Sequence, residues 1–93
     1  LWLLGQHVLL CGDARSATAY KDLMNGSVAR LVITDPPYNV KIAGNVTKRR
    51  DVPEFRMASG EMTEEDYKKF LGTVLGHIAD HAERGAVVYV CID

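Results

Sequence analysis

The sequence predicts an α/β fold in which three mostly parallel strands carry covering helices in the order β-α-β-loop-α-β and form an incomplete sheet. Two observations lead there. Short apolar, β-branched runs alternate with stretches of helical periodicity. The last run, residues 86–92, is continuously apolar, as in strands buried on both faces.

The first strand is expected over residues 7–11, with Gly12-Asp13 ending it. Ser16 can cap a short helix to about Met24, with Tyr20, Leu23 and Met24 on one face. Asn25-Gly26 stops that helix. Residues 30–34 form the second strand, and residues 39–61 a polar, flexible loop with Gly44, Pro53 and Gly60. Thr63 begins a long helix, and Asp66 stands where a capping-box acid belongs. Tyr67, Phe70, Leu71, Val74, Leu75, Ile78 and Ala82 make its apolar stripe. Gly85 is expected to end it, and residues 86–92 to pair beside residues 30–34.

The 93-residue chain reads as one domain and can bury only part of its surface. Its formal net charge of −1 gives no global electrostatic steering toward nucleic acid. Cys11 and Cys91 lie in separate apolar strands and read as free buried thiols in a reducing compartment, with a disulfide as the lesser alternative. No stretch is long and apolar enough to span a membrane. Leu1-Trp2-Leu3-Leu4 is too short for a signal peptide and lacks a basic start.

Asp35-Pro36-Pro37-Tyr38, directly after the second strand, is the most informative segment. In open α/β sheets ligands bind beyond the carboxyl ends of the strands. Pro37 restricts Pro36 to extended geometry, and both rings fix φ, so the Pro36 carbonyl is held in one direction. A carboxylate beside a fixed carbonyl offers two acceptors to the two N–H donors of an amino group. Tyr38 offers a flat face on which a base can stack. The plainer account is a strand-to-loop turn, since all four residues are turn formers.

With this motif in place, the chain resembles the amino-terminal part of an amino-methylating DNA methyltransferase, in the permuted group whose catalytic motif precedes its cofactor motif. That family's catalytic motif is (Asp/Asn/Ser)-Pro-Pro-(Tyr/Phe/Trp). The resemblance covers nearly the whole chain. Trp2-x-x-Gly5-x-His7-x-Leu9 leading to Cys11-Gly12-Asp13 looks like the usual lead-in of phage and bacterial members. Asp35-Pro36-Pro37-Tyr38-Asn39-Val40, then Met62-Thr63-Glu64-Glu65-Asp66-Tyr67, then a Gly85-led apolar run follow in the family's order. The family's Phe-x-Gly-x-Gly turn, which cradles the methionine part of the cofactor, does not occur in these residues.

The resemblance implies a partial Rossmann-like methyltransferase fold and S-adenosyl-L-methionine as cofactor. It implies methyl transfer to the N6 amine of adenine in double-stranded DNA with a flipped target base, in a bacterial or phage-encoded protein of the cytoplasm. It assigns catalysis to Asp35, Pro36, Pro37 and Tyr38, and cofactor contacts to Asp13 and Asp35. An Asp can accept from an adenine amino group, but Asp13 reads equally as a turn residue or a helix cap. The chain is then expected to be a fragment, inactive alone, whose first strand lacks its partner and leaves an edge open to self-association.

Lys41, Lys48, Arg49, Arg50 and Arg56 make the loop basic, opposed by Asp51 and Glu54. Lys41, Lys48, Arg49 and Arg50 are the candidates to hold phosphates while a nucleotide is extruded, and a solvated loop is the alternative. Asn39 reads as holding the loop by local hydrogen bonds. His77 and His81 have a metal-compatible spacing, but no third ligand is evident and no metal is expected. Gly72 and Gly76 weaken the long helix. Other readings stay open: cytosine-N4 or another planar amine (an RNA base, a glutamine amide) as acceptor, a catalytically dead DNA-binding or interaction module, and an unrelated α/β domain with a proline turn.

Overall fold

The computed structural model of the chain describes residues 1–41, 48–49, 51, 53–54 and 56–92. It is a mixed α/β structure. The elements are β1 (Trp2–Leu4), β2 (His7–Leu9), α1 (Ala17–Met24), β3 (Ala29–Thr34), α2 (Glu64–Asp80) and β4 (Ala82–Val90). Two compact units result: Leu1–Val32 with Gly72–Val88, and Ile33–Leu71 with Tyr89–Asp93.

β3 and β4 pair in parallel, as the alternating pattern requires. The Ala29 N–H donates to the His81 carbonyl at 2.8 Å, and the Cys91 N–H donates to the Thr34 carbonyl at 2.9 Å. The first strand departs from expectation. Residues 7–9 join β1 in an antiparallel hairpin, as a sheet separate from β3 and β4, in the register Trp2↔Leu9, Leu3↔Val8 and Leu4↔His7. Gly5-Gln6 makes the two-residue turn. Gly5 takes φ 65° while Gln6 stays negative, the sign pattern of a type II′ turn. Pairing across so short a loop closes with little entropic cost, so Trp2–Leu4 supplies the partner that a parallel neighbour would have supplied.

The helices begin where their caps dictate. The Ser16 hydroxyl accepts from the Ala19 N–H, and Asn25 ends α1 in the left-handed region at φ 44°. Thr63 Oγ1 accepts from the Asp66 N–H at 3.1 Å, the forward half of a capping box. The expected stripe of α2 is the main buried surface: Phe70, Val74 and Ile78 are 8%, 5% and 9% exposed. α2 stops at Asp80, earlier than Gly85 would allow. His81 is the reason. Its N–H closes a tight turn onto the Ile78 carbonyl at 3.1 Å, and its ring Nδ1 donates to the His77 carbonyl at 2.9 Å. Ala82 therefore opens β4, and Gly85 lies inside the strand at φ 83°. Among the described residues, no helix is long and apolar enough to cross a membrane.

Candidate functional site

In the second unit, Asp35 follows β3 and is exposed, while Pro36 is buried and Pro37 and Tyr38 are half-buried. The segment is held from three directions. The Tyr38 hydroxyl donates to Asp35 Oδ1 at 2.5 Å. The Tyr67 hydroxyl, from the first turn of α2, donates to the Pro37 carbonyl at 2.7 Å. Asn39 takes φ 58°, a conformation Asn tolerates better than most residues. Its Oδ1 accepts from the N–H groups of Gly60 and Met62 at 3.1 and 3.2 Å, and its Nδ2 donates to the Met62 carbonyl at 2.8 Å. Asn39 thus holds the loop through contacts more than twenty positions away, not locally. Among the described residues no donor reaches the Pro36 carbonyl.

The far side of that loop carries its own anion. The Glu61 carboxylate accepts from the Ala58 and Ser59 N–H groups at 2.5 and 2.6 Å. Hydrogen bonds from its own backbone N–H and from those of Ser59 and Ala58 hold its carboxyl below the usual range. Burial pushes the Tyr67 phenol above its ordinary pKa, so at neutral pH it remains a donor to Pro37.

In the first unit, Asp13 forms a turn closed by the Ser16 N–H on its carbonyl at 2.9 Å. Arg15 is the residue that sequence reasoning missed. Its backbone N–H and Nε donate to Asp13 Oδ1 at 2.9 and 3.1 Å, and its Nη2 donates to Oδ2 at 2.7 Å. The side-chain bonds to Arg15, then its backbone N–H, lower the Asp13 pKa to about 2. The helix cap is Ser16, so Asp13 does not serve as one. An Asp-x-Arg spacing was the available signal, since an Asp readily accepts from the N–H two residues on.

Asp13 edges a cavity of about 190 Å³ whose other walls are Leu10, Gly12, Ala14, Ala19, Tyr20 and Leu23. The Tyr20 ring, in turn, lies 5.2 Å from the His77 ring and 5.6 Å from that of His81. His77 Nε2 donates to the Arg15 carbonyl at 3.0 Å, which braces the Asp13 turn. These hydrogen bonds give both histidines structural roles. Lys41 and Lys48 are exposed. Arg49 forms a two-pronged pair with Asp51, with Nη2 to Oδ2 at 2.6 Å and Nε to Oδ1 at 3.0 Å. Arg50 lies outside the described residues.

No protein-family model, no curated protein and no solved structure matches this chain.

Proposed function

We propose that the protein carrying this chain methylates an exocyclic base amine in DNA, the N6 amine of adenine, using S-adenosyl-L-methionine. The observation that carries the reading is the Asp35-Pro36-Pro37-Tyr38 turn. It carries the exposed Asp35, one oxygen of which accepts from Tyr38, followed by Pro36, to whose carbonyl no described residue donates.

The amine lone pair of adenine is delocalised into the ring and attacks poorly. Hydrogen bonds from its two N–H groups to Asp35 and the Pro36 carbonyl favour a pyramidal nitrogen and free the lone pair. That gain is largest in the transition state, where it lowers the barrier. S-adenosylmethionine, when bound, supplies an electrophilic methyl group on a sulfonium. As the methyl–sulfonium C–S bond breaks and its electron pair leaves on the thioether sulfur, the amine nitrogen would take up the methyl group, and Asp35, which accepts the amine's hydrogen bond, would take the N–H proton released. Tyr38 offers its ring as the stacking face that fixes the base plane. Such a base is unreachable inside a duplex and has to be flipped out.

For the cofactor, the largely apolar cavity beside Asp13 suits a flat adenine ring with an amino group near its rim. Asp13 and Tyr20 would hold that end. Lys41 and Lys48 are exposed cations suited to phosphates. A second reading, a scaffold that binds DNA without catalysis, is favoured by one observation: Arg15 already takes up both Asp13 oxygens.

The test is to incubate the protein with DNA and isotopically labelled S-adenosylmethionine, then hydrolyse the DNA to nucleosides. Label in N6-methyl-2′-deoxyadenosine supports the proposal. Label in N4-methyl-2′-deoxycytidine moves the substrate to cytosine. DNA binding without any label leaves the inactive scaffold.

A further inference from the structure

Two carbonyls follow Asp35 in succession, on Pro36 and Pro37, and only one can serve as the partner acceptor for an amine. Among the described residues no backbone N–H donates to either carbonyl, so the backbone does not distinguish them. Tyr67 does. Its hydroxyl reaches back thirty positions to the Pro37 carbonyl at 2.7 Å. No described residue donates to the Pro36 carbonyl. We infer that Tyr67 is a positioning residue: by occupying the Pro37 carbonyl it orients the turn so that the Pro36 carbonyl stays vacant beside the Asp35 carboxylate. The inference rests on the methyl-transfer reading for its catalytic consequence, and on geometry alone for the choice of carbonyl.

The surroundings of Tyr67 suit the task. Thr63 caps the helix just ahead of it, and the Tyr67 N–H closes the first α2 turn onto the Thr63 carbonyl at 2.9 Å. The ring lies nearly parallel to Phe70, with centroids 6.2 Å apart and planes 16° apart. Cap and ring together fix where the hydroxyl points. On the other side of the turn, the Asn39 amide ties it to Gly60 and Met62. The segment is thereby held at Pro37 and again at Asn39, by groups that do not touch the amine.

Tyr67→Phe tests this, because it deletes the hydroxyl and keeps the ring on Phe70. Two readouts are taken on the protein carrying this chain. The first is the carbonyl carbon chemical shift of Pro36 and Pro37 in isotopically labelled protein. The variant is expected to lose the hydrogen-bonded shift at Pro37. An unchanged Pro37 shift overturns the inference whatever the activity. The second is methyl transfer: kcat is expected to fall roughly tenfold, the size of one lost hydrogen bond, with KM for S-adenosylmethionine unchanged. A normal kcat with the Pro37 bond lost overturns the positioning role. A wild-type protein without methyl transfer overturns the functional reading and this role with it, and the carbonyl shifts still decide which acceptor Tyr67 occupies.

Discussion

Arg15 governs how much of Asp13 is open to a ligand. The pair is exposed and stabilises little by itself, but it fixes the charge and direction of the carboxylate. The folded pKa of about 2 lies below the ordinary 3.8. The pair's contribution is therefore present above pH 3.8 and is lost as pH falls through about 2. Following the Asp13 side-chain carbon by NMR during acid titration should give that low midpoint. Arg15→Ala should return it toward 3.8, and a midpoint that stays low would disprove the assigned cause. Tyr38 combines two features at the other site, a ring face and a hydroxyl on Asp35. Tyr38→Phe keeps the face and should retain more methyl transfer than Tyr38→Ala. Equal losses in the two variants would mean that the ring does not carry the base.

At the scale of elements, α2 holds most of what is buried. Phe70→Ala should cost about 3–5 kcal/mol. A core this small rarely supplies more than that in total, so chemical denaturation of the variant should show no cooperative transition. Thr63→Ala should cost about 1 kcal/mol through its cap and leave a cooperative transition at lower denaturant. A Phe70→Ala protein that unfolds as sharply as the wild type would show that the stripe is not the core. The stripe and both caps were legible in the sequence because each rests on local spacing. The parallel pairing of β3 with β4 was legible from the alternation of strand and helix. The β1–β2 hairpin was not, because Gly5-Gln6 joins runs only three residues long, too short to show alternation. The end of α2 was misjudged for a related reason. A glycine signals a helix stop by its conformation, whereas His81 stops α2 with a side-chain hydrogen bond that spacing does not reveal. Within the site, the end of β3 and the irregular segment at residues 35–38 were readable, but the braces of that segment were not. Tyr67 and Asn39 act across thirty and more than twenty positions, and Arg15 acts through a charge pair that composition hides.

For the whole molecule, the balance between buried and exposed apolar surface sets the behaviour. Leu31, Ile33, Val87 and Tyr89 are 56%, 70%, 49% and 60% exposed, and Trp2, Leu3 and Leu4 lie open in the hairpin. Few side chains offset that exposure: Pro36, Ala58, Phe70, Val74 and Ile78 form the buried apolar set among the described residues. The 93-residue chain by itself should bind a hydrophobic dye at neutral pH and sediment faster as its concentration rises. A monomer without dye binding at high concentration would mean that these side chains are covered in solution. The central claim remains chemical: Asp35 accepts one N–H of the target amine while the Pro36 carbonyl accepts the other. The most direct measurement compares methyl transfer to DNA by the wild-type protein and by Asp35→Ala, under saturating S-adenosylmethionine. Loss of one such preorganised acceptor should lower kcat by about 10²–10³, or roughly 2.7–4 kcal/mol. Turnover by Asp35→Ala within a few-fold of wild type would contradict the account.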